Sequence, residues 1–157
     1  MTSFEQELET HGSIIYTNRG VSMLPLLRQD RGVLVIEKRG EGRCAKYDAV
    51  LFKRDNGQYI LHRILRVLPQ GYLIAGDHNT FLERDVTDRM ILGVMTQIIR
   101  DGKSIRPQDW RYRLYVYLWC APWPLRMASI RLYRKGRRFL GRIRRRLRRG
   151  KGGRQAR

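Results

Sequence analysis

The chain has 157 residues, with 33 Lys or Arg against 14 Asp or Glu, a formal net charge of +19, and 42% hydrophobic residues. That apolar fraction excludes wholesale disorder, and the length suits one compact domain with an extension. Residues 1–110 carry 16 basic and 14 acidic side chains, or +2, whereas residues 111–157 carry 17 basic and no acidic ones, or +17. A uniformly basic domain built to coat nucleic acid is thereby excluded. The pattern reads as a near-neutral domain over 1–110 followed by an aromatic and Arg-rich tail over 111–157.

In chain order, the first nine residues are acidic and polar and lack the apolar core of a secretory signal. Residues 12–17 (GSIIYT) are β-branched and bounded by Gly and Asn, which predicts a strand. Residues 32–38 (GVLVIEK) form a second apolar run, and residues 48–53 (DAVLFK) a third. Asp55-Asn56-Gly57 separates that run from residues 58–68 (QYILHRILRVL), a strong hairpin signal. Pro69-Gln70 marks the next turn, followed by strands at residues 71–75 and 90–99. None of these segments has sustained helical periodicity, so the fold class is mainly β, built from hairpins.

The character changes at Pro107-Gln108-Asp109. Pro122 and Pro124 interrupt the apolar stretch that follows, leaving residues 114–121 as one short helical piece. Phe139, Leu140, Ile143 and Leu147 recur at roughly helical spacing among arginines, which predicts a basic amphipathic helix. No stretch of 18 uncharged apolar residues occurs, so no ordinary transmembrane helix is expected. Cys44 and Cys120 read as free thiols or small apolar residues, and no cofactor is expected. The three histidines and two cysteines show no metal-ligand spacing, so no metal site is expected.

Three segments carry chemistry. Ser22 lies in Gly20-Val21-Ser22-Met23-Leu24-Pro25, a stiff Gly/Pro loop of the kind that exposes a nucleophile beside backbone N–H groups. Alone, such a serine more often caps a turn. His62 shares a strand face with Ile60 and Ile64, where burial would keep the imidazole neutral, as a general base requires. Alone, it is more often a core histidine. Gly76-Asp77-His78-Asn79 follows a strand, with Asp85 and Asp88 close behind as acids able to hold an imidazole tautomer. The ordinary use of such a segment is an Asx turn with an ion pair.

Together, in this order, they resemble the signal peptidase I family: a G-x-S-M-x-P box, an intermediate box Tyr47-Asp48-Ala49-Val50-Leu51-Phe52, a strand ending in hydrophobic-His-Arg, and a strand ending in Gly-Asp-x-Asn. The resemblance covers residues 12–94. Bacterial members place lysine where His62 stands, so the match is to the Ser–His type of the endoplasmic reticulum and archaea. Those relatives usually carry a transmembrane helix before the nucleophile box. The resemblance implies a β-rich catalytic domain in which Ser22 attacks and His62 is its base. It further implies that Asp85 (or Asp88) partners His62, that Asp77 braces the loop, and that Met23 and Pro25 shape the cleft. Gly20 stands where some relatives place a second hydroxyl donor to the oxyanion, leaving the Ser22 N–H for that task.

The function this implies is a serine endopeptidase that removes leader or signal segments from a protein or peptide precursor. The rival readings are a repressor-type self-cleaving relative and a non-catalytic peptide binder, each with a nucleic-acid-binding tail. The tail joins Trp119, Trp123 and tyrosines to a polybasic run, a composition suited to an anionic membrane surface, with nucleic acid the second choice. The expected location is therefore peripheral, on the cytoplasmic face of a membrane, where anionic lipids lie.

Overall fold

The six expected strands form in the computed structural model, which describes residues 3–29, 31–130 and 132. They are β1 (Ser13–Tyr16), β2 (Val33–Lys38), β3 (Ala49–Lys53), β4 (Tyr59–Leu68), β5 (Gly71–Ala75) and, late in the chain, β7 (Ile91–Arg100). Two short strands escape the sequence pattern, β6 (Glu83–Val86) and β8 (Lys103–Ile105). Both are polar and only a turn or so long, too short to show a period. All pairings are antiparallel, and the eight strands make one sheet in the order β1-β2-β7-β3-β4-β5-β6, with β8 on β7.

The Asn56-Gly57 hairpin joins β3 to β4 as its sequence predicts. Gly57 adopts φ 83°, and the Arg54 N–H donates to Gln58 O at 2.9 Å. Central strand β3 is buried on both faces. Ala49 and Leu51 face one core cluster with Leu34, Ile36, Met95 and Ile98, while Val50 and Phe52 face another with Ile64, Tyr72 and Ile74. This period of two is why DAVLFK reads as a continuous apolar run.

The acidic N-terminus forms a helix, α1 (Phe4–His11), which composition alone did not reveal. Its signal is local. Ser3 Oγ accepts from the Gln6 N–H at 3.2 Å and Gln6 Oε1 accepts from the Ser3 N–H at 3.0 Å, a capping box, and Gly12 ends the helix at φ 70°. Leu8 enters the core, and Phe4 packs edge-on against Tyr16 and Tyr59.

After the sheet come α2 (Trp110–Tyr115) and, continuous with it, a π-helical segment (Val116–Cys120). Tyr112, Val116 and Cys120 join the first core cluster, so the first compact unit runs to Ala121 and takes in residues 111–121 of the expected tail. In the second unit, residues 122–157, the described part is helical over 123–130. Pro122 and Pro124 break the chain as expected, and Pro124 lies in the new helix's first turn, where a missing N–H costs no bond. The basic helix expected around Phe139, Leu140, Ile143 and Leu147 lies outside the described residues. Among the described residues, no helix is long and apolar enough to cross a membrane. Cys44 and Cys120 are both buried free thiols.

Candidate active site

Ser22 occupies the loop between β1 and β2. Gly20 takes φ 113°, a backbone open to glycine, with its carbonyl accepting from Asn18 Nδ2 at 3.2 Å. The Leu24 N–H donates to Val21 O at 3.2 Å and the Leu27 N–H to Met23 O at 2.9 Å, curling the chain tightly around the serine. Met23 has no exposed surface and roots the loop in the core beside Leu27. Its expected place in the cleft wall is therefore corrected: the side chain points inward, one residue past a half-buried Ser22. Pro25 is exposed and stands outside the cleft as well.

His62 lies on β4 opposite Val50 of β3, with its ring 4% exposed. Its Nδ1 is 2.7 Å from Glu83 Oε1, and its Nε2 is 3.2 Å from Asn79 Nδ2. A carboxylate only accepts, so Nδ1 carries the proton in the neutral ring and Nε2 offers its lone pair, here to the Asn79 amide. Burial holds the imidazole below its ordinary pKa, and the Glu83 charge, pulling upward, does not overcome it. A neutral, correctly tautomerised ring is the form a general base takes.

The acid at His62 is thus Glu83 and not Asp85 or Asp88. Sheet register explains it. Ile64 pairs with Ile74, and Ile74 with Glu83, so these three share a face with His62, two residues from Ile64. Strand β6 runs parallel to β4 across the intervening β5, so stepping from Glu83 to Asp85 moves away from His62. A register irregularity in the β5–β6 pairing adds to the offset, and Asp85 ends up exposed. Asp88 is engaged elsewhere, with Arg39, Arg43 and the Tyr72 hydroxyl.

The loop Gly76-Asp77-His78-Asn79 ties serine to histidine. The His78 N–H donates to Ser22 O at 2.8 Å, and Gly76 approaches so closely that a Cβ there would lie 2.6 Å from Ser22 O. Asn79, three residues on, reaches His62 Nε2. Asp77 anchors the loop from behind. Its two oxygens take Arg63 Nε at 2.7 Å and Nη2 at 2.8 Å, with Arg63 fully buried. Arg63 Nη1 donates to Tyr47 O and the Tyr112 hydroxyl, both at 2.8 Å. Tyr115 donates its hydroxyl to Asp77 Oδ2 at 2.8 Å, and Trp119 its indole N–H to Asp77 O at 3.0 Å. A buried ion pair needs this saturation to offset its desolvation.

Comparison with protein-family models, curated proteins and solved structures found no match.

Ser22 and His62 open onto one cleft of about 290 Å³, walled by Phe4 of α1, Tyr16, Leu51, Tyr59, Leu61 and Phe81, with Asn79 at its edge. Arg54 also borders it and holds the second Glu83 oxygen at 2.8 Å. Were a lysine the base, Lys53 on β3 would be the candidate, but it is turned to Glu5 at 2.6 Å, and that hydrogen bond holds its pKa above the ordinary lysine value, the opposite of what a lysine base needs. The sequence alone points to neither Glu83 nor the Tyr115 bond to Asp77, nor to the contact of Asn79 with His62. Asn79 was visible in its loop, whereas Glu83 required the unread strand β6.

Proposed function

We propose that the chain is a serine endopeptidase of the signal peptidase I type, working through Ser22, His62 and Glu83. The observation that carries the reading is that Ser22 and His62 line one cleft while Glu83 fixes the imidazole as a base. In the proposed cycle, Ser22 Oγ attacks the scissile carbonyl as His62 Nε2 takes its proton. Asn79 gives up its contact with Nε2 to the incoming hydroxyl. Glu83 stabilises the imidazolium, and the Ser22 N–H receives the oxyanion. His62 then protonates the leaving amine, and water, activated by the same nitrogen, releases the acyl group from Ser22. The substrate class, a leader or signal segment with small residues before the cut, follows from the family resemblance.

The orientation of Lys53 favours a Ser–His pair over the Ser–Lys pair of self-cleaving repressors. The test is turnover of a leader-type peptide by the purified chain, with intact-mass detection of a serine-directed phosphonate adduct. Turnover and labelling that both vanish in Ser22→Ala, with the thermal transition retained, support the reading. Cleavage unchanged in Ser22→Ala overturns it, and tight peptide binding without turnover in the parent chain replaces it with the non-catalytic reading.

A further inference from the structure

We infer that the outward side of α2 and the π segment is a docking face for an anionic membrane surface. This goes beyond the peptidase reading and does not depend on it. Trp110 is 68% exposed, Leu114 47%, Tyr117 63% and Leu118 70%, and they recur at the i, i+4, i+7, i+8 spacing of one helical face. The opposite side is already occupied: Tyr112, Val116 and Cys120 lie in the core, and Tyr115 and Trp119 are bonded to Asp77. A surface helix ordinarily turns polar residues to water, whereas this one is apolar on both sides. A contiguous exposed patch of two leucines, a Trp and a Tyr marks an interaction surface.

Charge selects the occupant. The charged residues beside the patch are Arg111 and Arg113, both exposed, with Lys103, Asp101 and Asp109 near Trp110, and the Arg111 guanidinium stacks 5.4 Å from the Trp110 ring centre. Asp109 is the last acid in the chain, with 17 basic residues beyond it. A second copy of the chain would bring two such +17 segments together and be repelled. Nucleic acid would satisfy the arginines but leave Leu114 and Leu118 in water. An anionic bilayer accommodates both, with leucines below the headgroups, Trp and Tyr at their level and arginines at the phosphates. The face differs from the expected anchor in both tryptophans: Trp119 bonds inward to the Asp77 carbonyl and Trp123 is buried, so the exposed indole is that of Trp110.

The test uses the full-length chain and sedimentation with two vesicles, phosphatidylcholine alone and a phosphatidylglycerol–phosphatidylcholine mixture. A Trp110→Ser/Leu118→Ser double variant and a single-stranded RNA control complete it. The parent is expected to bind the mixed vesicles only. Raising salt should weaken that binding without abolishing it, because charges are screened over about 8 Å at physiological ionic strength while apolar burial is not. The double variant should lose more than about ten-fold in affinity with its thermal transition unchanged, since both side chains are exposed. Equal binding by the double variant overturns the proposal, as does failure of the parent to bind mixed vesicles. Tight RNA binding at physiological salt without vesicle binding also overturns it, as does a dimer that the double variant dissociates in place of vesicle binding. Vesicle binding is read identically in Ser22→Ala, so failure of this face and failure of the peptidase reading are separable.

Discussion

Glu83 holds His62 in one tautomer while being held itself. Its Oε1 lies 2.7 Å from His62 Nδ1, and its Oε2 lies 2.8 Å from Arg54 Nε. Glu83→Gln therefore has a defined consequence. Arg54 donates only, so it retains the amide oxygen and turns the amide nitrogen toward Nδ1. Nδ1 must then accept, the proton moves to Nε2, and the base is lost. We expect kcat to fall by roughly 10³–10⁴ with KM little changed, as for a wrong-tautomer triad. Asp85→Asn should stay within about two-fold, because exposed Asp85 does not touch the ring. Steady-state kinetics on the two variants check the assignment, and the reverse ranking would return the role to Asp85.

The depressed pKa of His62 sets a pH profile. The burial that lowers it places the midpoint of kcat/KM below the ordinary histidine value of 6.5, with activity rising toward neutral pH. Stability follows the same sign. Above 6.5 both folded and unfolded chains hold the ring neutral. As pH falls below 6.5 the unfolded chain takes the proton first, and stability drops until the folded value is passed. Glu5 titrates in a separate window. Burial works upward on its carboxyl but is outweighed by hydrogen bonds from Lys53 and Tyr59, which bring it from 4.5 to about 2, so its contribution is present above 4.5 and lost between there and 2. Thermal melts against pH should show two declines. His62→Gln should remove the upper one and Glu5→Gln the lower.

How much of this was legible follows from which interactions are local. Alternation, glycine and Asn-Gly turns made six strands readable, because a strand's face pattern and a hairpin's turn are written within a few residues. Ser22 and His62 stand out in the sequence because the boxes that flank them are also local. The acid was not, because Glu83 reaches His62 through register across β4, β5 and β6, a relation that spans strands. Composition alone assigns residues 111–121 to the tail, since aromatic residues serve a membrane and a core equally. What separates the two is Asp77, an interior residue whose carboxylate accepts from Tyr115 and whose backbone carbonyl accepts from Trp119. Met23 is ambiguous for a similar reason: a Met one residue past Ser22 can face the cleft or the core, and here it faces the core.

Removing one partner of the Arg63–Asp77 pair should be far costlier than removing a hydrogen bond to it. Asp77→Ala leaves a fully buried guanidinium uncompensated, a loss of about 3–5 kcal/mol. Tyr115→Phe removes one hydroxyl donor from a carboxylate that retains Arg63, a loss of about 1–2 kcal/mol. Denaturant unfolding should rank the two accordingly. Because both act on one network, the Asp77→Ala/Tyr115→Phe double variant should cost less than the sum of the singles. Strict additivity would show that Tyr115 stabilises the fold independently of the loop.

Gly76 and Gly20 make opposite demands on a methyl group, and alanine at each separates them. Gly20 adopts φ 113° in open space, so Gly20→Ala strains the backbone without a clash. Gly76 is outside the left-handed region, yet a Cβ there would lie 2.6 Å from Ser22 O and 2.8 Å from Asn79 Nδ2. The first of these atoms belongs to the Ser22 backbone and the second to the amide on His62 Nε2. Gly76→Ala must therefore push Ser22 and Asn79 apart from the loop that aligns them. A displacement of about 1 Å at reacting groups can cost on the order of 100-fold in rate. We expect Gly76→Ala to retain a cooperative thermal transition while kcat/KM falls by about that factor. Loss should lie in kcat more than KM, because the cleft walls from Phe4, Tyr16 and Tyr59 stand on other elements. Substrate turnover and melting of the two alanine variants, side by side, decide the matter. A Gly76→Ala enzyme as fast as the parent would mean that the loop does not set the Ser22–His62 geometry.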